Sequence, residues 1–166
     1  MPLRHLTPAD LAAVVALDQA AFGGWWSASQ YAEELGKSST VFVGDASPTE
    51  LISMAAAWLI LDEAHIVLLA VHPAHRGRGV GRATLNYLLQ ALPPAIAHAT
   101  LEVRSQNTIA LHLYQSCGFR IVGRRPGYYR NPDDDALILW RRCLTGGNHI
   151  QADQGVQNPH PTAIGE

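Results

Sequence analysis

Three residues in the second half of the chain, Glu102, Asn107 and Tyr114, have types that proton chemistry or polar binding uses. Glu102 stands between Leu101 and Val103, two side chains that a fold would bury. A carboxyl drawn partly out of water has a raised pKa, toward the range useful to a general base. The same carboxylate could instead be an ordinary strand residue paired with Arg104. Asn107 is a natural helix N-cap, and Tyr114 in His112-Leu113-Tyr114 could equally be a core aromatic with a wet hydroxyl. Upstream lies a different kind of signal, Arg76-Gly77-Arg78-Gly79-Val80-Gly81-Arg82-Ala83, after the apolar run Ile66 to Val71. Glycines let backbone approach a ligand closely, and the first turn of a following helix offers N–H groups and a positive dipole end to phosphate. Two nucleotide motifs fail there: Arg82-Ala83 replaces the Lys-Ser/Thr of a Walker loop, and Arg82 replaces the last glycine of G-x-G-x-x-G. Cys117 has no recognisable paired base and reads as a small buried hydrophobe. Tyr128 and Tyr129, beside Arg124, Arg125 and Arg130, could bind a substrate or stack on a base.

The elements that must position these residues follow from periodicity and punctuation. Leu3 to Leu6 suits a short strand, and Thr7-Pro8-Ala9-Asp10 suits a helix start, with Gly23-Gly24 as its stop. A second helix is expected from Ser27, with Gln30 completing a capping box and Trp26 and Tyr31 at the staple positions. Two such helices could form a flap over a cleft or simply pack. Thr40 to Val43, Leu51 to Leu61 and His65 to Val71 read as an antiparallel meander. A helix follows from Val80 to Leu92, then a strand from Ala99 to Arg104 and a helix from Asn107 through Ser116. Strands at Phe119 to Gly123 and Ala136 to Trp140 are joined by the polar loop Asn131 to Asp135. This order predicts an α+β domain over 1–144, with about four helices on a mixed, mostly antiparallel sheet. Residues 145–166, rich in Gly, Asn, Gln, Asp and Pro, are expected to form a flexible tail.

Composition narrows the function classes. With 166 residues and 48% apolar content the chain can bury one real core. A formal net charge of −2 argues against direct nucleic-acid binding, while the local arginine clusters suit a phosphate site. Two cysteines and unclustered histidines predict neither a disulfide framework nor a metal site. No apolar run is long enough to span a bilayer, and Met1-Pro2-Leu3-Arg4 opens no secretory signal, so a cytoplasmic location without membrane contact is expected.

The pattern Arg76-Gly77-Arg78-Gly79-Val80-Gly81, led in by Val71-His72-Pro73, resembles the Gln/Arg-x-x-Gly-x-Gly/Ala signature of the GNAT superfamily of acetyl-CoA-dependent N-acetyltransferases. Leu101-Glu102-Val103-Arg104, Asn107, Leu113-Tyr114 and Gly118-Phe119 extend that resemblance to the bacterial ribosomal-protein-alanine N-acetyltransferase branch. Trp26-Ser27, Leu61-Asp62-Glu63-Ala64 and Tyr128-Tyr129 are similar to that branch as well, so the likeness covers about residues 1–143. Two departures, Arg76 for glutamine and Gly77 for arginine, leave the backbone pocket intact.

The resemblance implies acetyl-CoA as co-substrate and no metal. It implies that backbone groups of Leu69, Ala70 and Val71 bind the acetyl-pantetheine arm, and that Arg76, Gly77, Arg78, Gly79, Val80, Gly81 and Arg82 hold the pyrophosphate. Asn107 would hydrogen-bond the arm, Glu102 would be the general base and Tyr114 the general acid. The acceptor so implied is a protein N-terminal α-amine, the alanine of a small-subunit ribosomal protein. Lysine side chains, polyamines and aminoglycosides are the alternative acceptors, and a non-catalytic acyl-CoA-binding module is the alternative from another class.

Overall fold

The computed structural model describes residues 2–47 and 49–143, together with the backbone of 163–165. In chain order these form β1 (Leu3–His5), α1 (Leu11–Phe22), α2 (Ala28–Gly36), β2 (Thr40–Ala46), β3 (Leu51–Ile60), β4 (Glu63–Val71), α3 (Val80–Ala91), β5 (His98–Arg104), α4 (Thr108–Ser116), β6 (Arg120–Tyr129), β7 (Asp134–Arg142) and β8 (Ala163–Gly165). One sheet runs β1-β2-β3-β4-β5-β7-β6, with β8 against β4. Among the described residues, only β4/β5 and β4/β8 are parallel. The α+β architecture and the mostly antiparallel sheet are as the sequence predicts.

Period-two alternation divides the buried residues between two faces. On one side Val43, Ile66, Leu69, Leu85, Leu88, Leu101, Val103 and Tyr114 form a core beneath α3 and α4. On the other, Val14, Leu17, Tyr31, Phe42, Met54, Val67 and Leu68 pack under α1 and α2. A hydroxyl pair, Ser53 to Thr84 at 2.6 Å, fastens α3 to β3 within the first face.

The N-terminal helices are tied by one buried carboxylate. Gly23 ends α1 in the left-handed region at φ 71°. Ser27 caps α2 reciprocally with Gln30, at 2.8 and 3.2 Å, and the Trp26 and Tyr31 rings lie 5.3 Å apart as a staple. Asp18, fully buried on α1, accepts the Tyr31 hydroxyl at 2.9 Å and the Trp25 N–H at 2.9 Å. Burial and the Asp18 charge push the Tyr31 hydroxyl pKa up, so it remains a donor.

Several boundaries differ from the sequence reading. Pro8–Asp10 is a 3₁₀ turn ahead of α1, held by the Thr7 N–H donating to the Asp10 carboxylate at 2.8 Å. β6 runs on past the expected end at Gly123 to Tyr129, through register shifts at Ile121/Gly123 and Arg125/Tyr129, so Arg124 to Tyr129 belong to a bulged strand. Of the tail expected from 145, Ala163–Gly165 pair with β4, and 144–162 and 166 lie outside the described residues.

Removing the Asp18 carboxylate leaves two donors without an acceptor. Asp18→Ala is expected to cost about 2–4 kcal/mol in denaturant unfolding, and Tyr31→Phe about 1–2 kcal/mol. Loss of less than about 0.5 kcal/mol in both would contradict this anchoring role.

Candidate active site

The site begins where two parallel strands part. β4 and β5 pair only from Glu63↔His98 to His65↔Thr100. Just beyond, the β3/β4 register steps between Ala56 and Ala57, which leaves Val67 as an extra residue on β4. A bulge bends its strand, and here the bend carries β4 away from β5. Leu68 to Val71, all buried, continue past the split toward the loop that follows. Leu69, Ala70 and Val71, the residues expected to hold an extended arm, therefore lie on the edge that has left β5.

The glycine stretch caps the far end of that edge. Gly77 and Gly79 are left-handed at φ 73° and 77°, where other residues are strained. A Cβ at either would meet nothing within 4 Å, so the glycines serve conformation rather than packing. The first helical bond of α3 is Ala83 N–H to Gly79 C=O at 3.1 Å, so the N–H groups of Val80, Gly81 and Arg82 precede the helical ladder. Arg78 and Arg82 are exposed beside them, whereas Arg76 turns back and donates from Nε to the Val71 carbonyl at 3.3 Å. Such a constellation suits a doubly anionic group on an extended arm. Among the described residues no three His, Cys, Asp or Glu side chains gather as a metal site would.

Glu102 points to the face opposite Leu101 and Val103 and is only 3% exposed. Burial raises its carboxyl pKa above the ordinary 4.5, while a hydrogen bond from Tyr128 and the charges of Arg125 and His65 partly offset the rise. The nearest cation is Arg125, 3.6 Å from the carboxylate. Arg104, the partner weighed in the sequence, lies elsewhere. Its guanidinium sits 4.4 Å over the Tyr129 ring and donates to the Pro132 and Arg130 carbonyls at 2.8 and 3.2 Å. The bulged course of β6 brings Arg125 and Tyr128 to Glu102, which no spacing rule reveals. Tyr129 is buried beside them with a hydroxyl pKa pushed upward, and that hydroxyl has no hydrogen-bond partner among the described residues.

His65 is a further neighbour that sequence reasoning missed. It is 1% exposed on β4, with Nε2 3.1 Å from the Glu63 carboxylate. A histidine opening an apolar strand was the available signal. Tyr114 is fully buried in the core under α3 and α4, its ring edge-on to Phe119 at 5.6 Å. Glu102 and Tyr114 thus belong to opposite faces of the sheet. Asn107 caps α4, its Oδ1 accepting the Ala110 N–H at 3.2 Å, as its N-cap reading requires. Cys117 is buried and free.

Residues 11–119, well over half of the chain, match the family described as Acetyltransferase (GNAT) family. The chain belongs to the GNAT acetyltransferase family. This acetyltransferase is 33% identical over 140 residues to the [ribosomal protein bS18]-alanine N-acetyltransferase of Escherichia coli, covering 82% of its own length and 94% of that relative. It is 36% identical over 144 residues to an uncharacterized Mycobacterium leprae protein, covering 83% of its own length and spanning 40% of that longer relative. The crystal structure of the E. coli ribosomal-protein-S18-alanine N-acetyltransferase superposes with a TM-score of 0.79 at 28% identity, covering 91% of this chain and 99% of that one. No described helix of the acetyltransferase is long and apolar enough to cross a membrane.

The Glu102 environment gives a signed expectation. Because its folded pKa is raised above 4.5, the folded chain binds more protons than the unfolded chain over the window above that value. Ionising Glu102 therefore costs stability as pH rises, and Glu102→Gln should gain stability relative to the parent across the same window. Arg125→Ala removes a charge that lowers this pKa, so the Glu102 carboxyl should titrate at higher pH by carbon-detected NMR. A downward shift would contradict the contact.

Proposed function

We propose that this acetyltransferase moves acetyl from acetyl-CoA to a protein N-terminal α-amine, the N-terminal alanine of a small-subunit ribosomal protein. The observation that carries the reading is the likeness to the E. coli bS18-alanine enzyme over 94% of that enzyme's length, with Glu102 buried beside the strand split. In this reading the pantetheine arm lies along the edge of Leu69, Ala70 and Val71. Its pyrophosphate sits against the backbone of Gly77, Arg78, Gly79, Val80, Gly81 and Arg82, with Arg76 buttressing the loop through Val71. The Asn107 amide nitrogen, whose oxygen partner caps α4, serves the arm.

The chemistry is a direct transfer. Glu102 takes a proton from the incoming ammonium, and the freed nitrogen lone pair attacks the thioester carbonyl carbon. The C–N bond forms, the nitrogen of the tetrahedral adduct gives up its second proton to water, the C–S bond breaks with its electron pair going to sulfur, and Tyr114 gives its hydroxyl proton to the departing thiolate. Glu102 then releases its proton to solvent and Tyr114 regains one, so nothing is oxidised or reduced. Desolvation of Glu102 favours the base role, since a base works best with a pKa near the operating pH. An α-amine near pKa 7.7–8.0 needs roughly three kcal/mol less to deprotonate than a lysine near 10.4, which matches a single carboxylate base.

Two measurements test this. Glu102→Gln should lower kcat/KM by about 10²–10⁴ and remove the acidic limb of its pH profile, while acetyl-CoA binding persists. Transfer at the parental rate by Glu102→Gln and by Tyr114→Phe would overturn the assignment. A peptide beginning with alanine should be acetylated, and its N-terminally blocked, lysine-containing version should not. The reverse preference would favour a side-chain acceptor.

A further inference from the structure

β4 has two edges, and β3 occupies one of them from Glu63 to Val71. The other edge pairs with β5 as far as His65 and then, past the split, with Ala163–Gly165. The register is Leu68↔Ala163, Leu69↔Ile164 and Ala70↔Gly165, in parallel. The segment therefore enters the gap between the parted strands and takes up the same main-chain edge on which the proposed function lays the pantetheine arm. Each N–H and C=O on a strand edge serves one partner at a time, so two extended occupants of Leu68 to Ala70 exclude each other.

We infer that the segment Ala163–Gly165 is an intramolecular competitor of the acetyl donor, a strand that fills the donor slot and must leave before acetyl-CoA binds. The inference rests on the donor reading above. Its energetics suit a throttle rather than a block. Residues 143–162 connect β7 to the segment, and a chain of that length can extend up to roughly 60 Å. Tethering gives the segment an effective concentration on the order of millimolar, so even a weak ladder competes. Three residues of strand offer few main-chain bonds, so a tightly held donor displaces them. The same competition makes the donor protect the slot and release the segment together, coupling donor occupancy to exposure of Ala163–Gly165.

The test uses the full chain and the double variant Ile164→Pro/Gly165→Pro. Successive N–H groups of a strand point to opposite edges, so proline at both positions removes whichever one donates to β4. Calorimetric titration with acetyl-CoA should give a dissociation constant about threefold or more lower for the variant, because the apparent dissociation constant is the intrinsic one divided by the fraction of molecules with an open slot. Hydrogen exchange at Leu68 to Ala70 should be faster in the unliganded variant than in the unliganded parent, and equal once acetyl-CoA saturates both. In turnover, KM for acetyl-CoA should fall while KM for the acceptor stays unchanged. Equal donor affinity and equal exchange in the two chains would overturn the competitor role while leaving the acetyl-transfer reading standing. A shift in acceptor KM alone would overturn it in favour of acceptor mimicry. Failure of both chains to bind acetyl-CoA would overturn the donor reading and the competitor with it.

Discussion

The site depends on a ladder that stops. β4 and β5 share three residue pairs and then separate at the bulge that leaves Val67 extra. A parallel pair kept to its end would have satisfied its own main-chain groups and left no slot. By parting, the strands free an edge of β4 from β5, and Ala163–Gly165 pair with it. The buried side chains of Leu68 to Val71 keep the edge rigid. The left-handed glycines at 77 and 79 then turn the chain so that α3 starts at the slot's far end.

The chemistry of Glu102 is a balance rather than a single effect. Burial dominates and raises its pKa, while Tyr128, Arg125 and His65 each act to lower it. A carboxyl with no such neighbours would be a poor base because it would stay protonated. One held tightly by a fully buried cation would be poor because its pKa would collapse. Arg125 at 3.6 Å is close enough to temper the carboxylate but too long for a good hydrogen bond. Tyr128, whose own hydroxyl pKa is raised by burial and by Glu102, stays a donor to it.

Much of this was legible in the chain, for identifiable reasons. The helices at Leu11, Ala28, Val80 and Thr108 announce themselves by caps, glycine stops and 3.6-residue spacing, and the meander by apolar runs between turns. Glu102 stood out because its neighbours alternate with it, and the glycine stretch because its backbone demands are local. What escaped depends on register. Which cation faces Glu102 is decided by two irregularities in β6, and these bring in Arg125 where the nearest residue by spacing is Arg104. His65 joined the site through a parallel pairing between distant strands. The strand at Ala163–Gly165 lies in a stretch whose composition gave no reason to expect order. Three residues have no periodicity to read, and their partner is an edge that only the split exposes.

The account turns on which amine receives the acetyl group. The direct measurement is mass spectrometry of protein N-termini from cells with and without this gene. It predicts that one small-subunit ribosomal protein beginning with alanine carries an N-terminal acetyl group only when the gene is present. An unchanged set of acetylated N-termini, with gene-dependent acetylation found instead on lysine side chains or on a small amine, would contradict it.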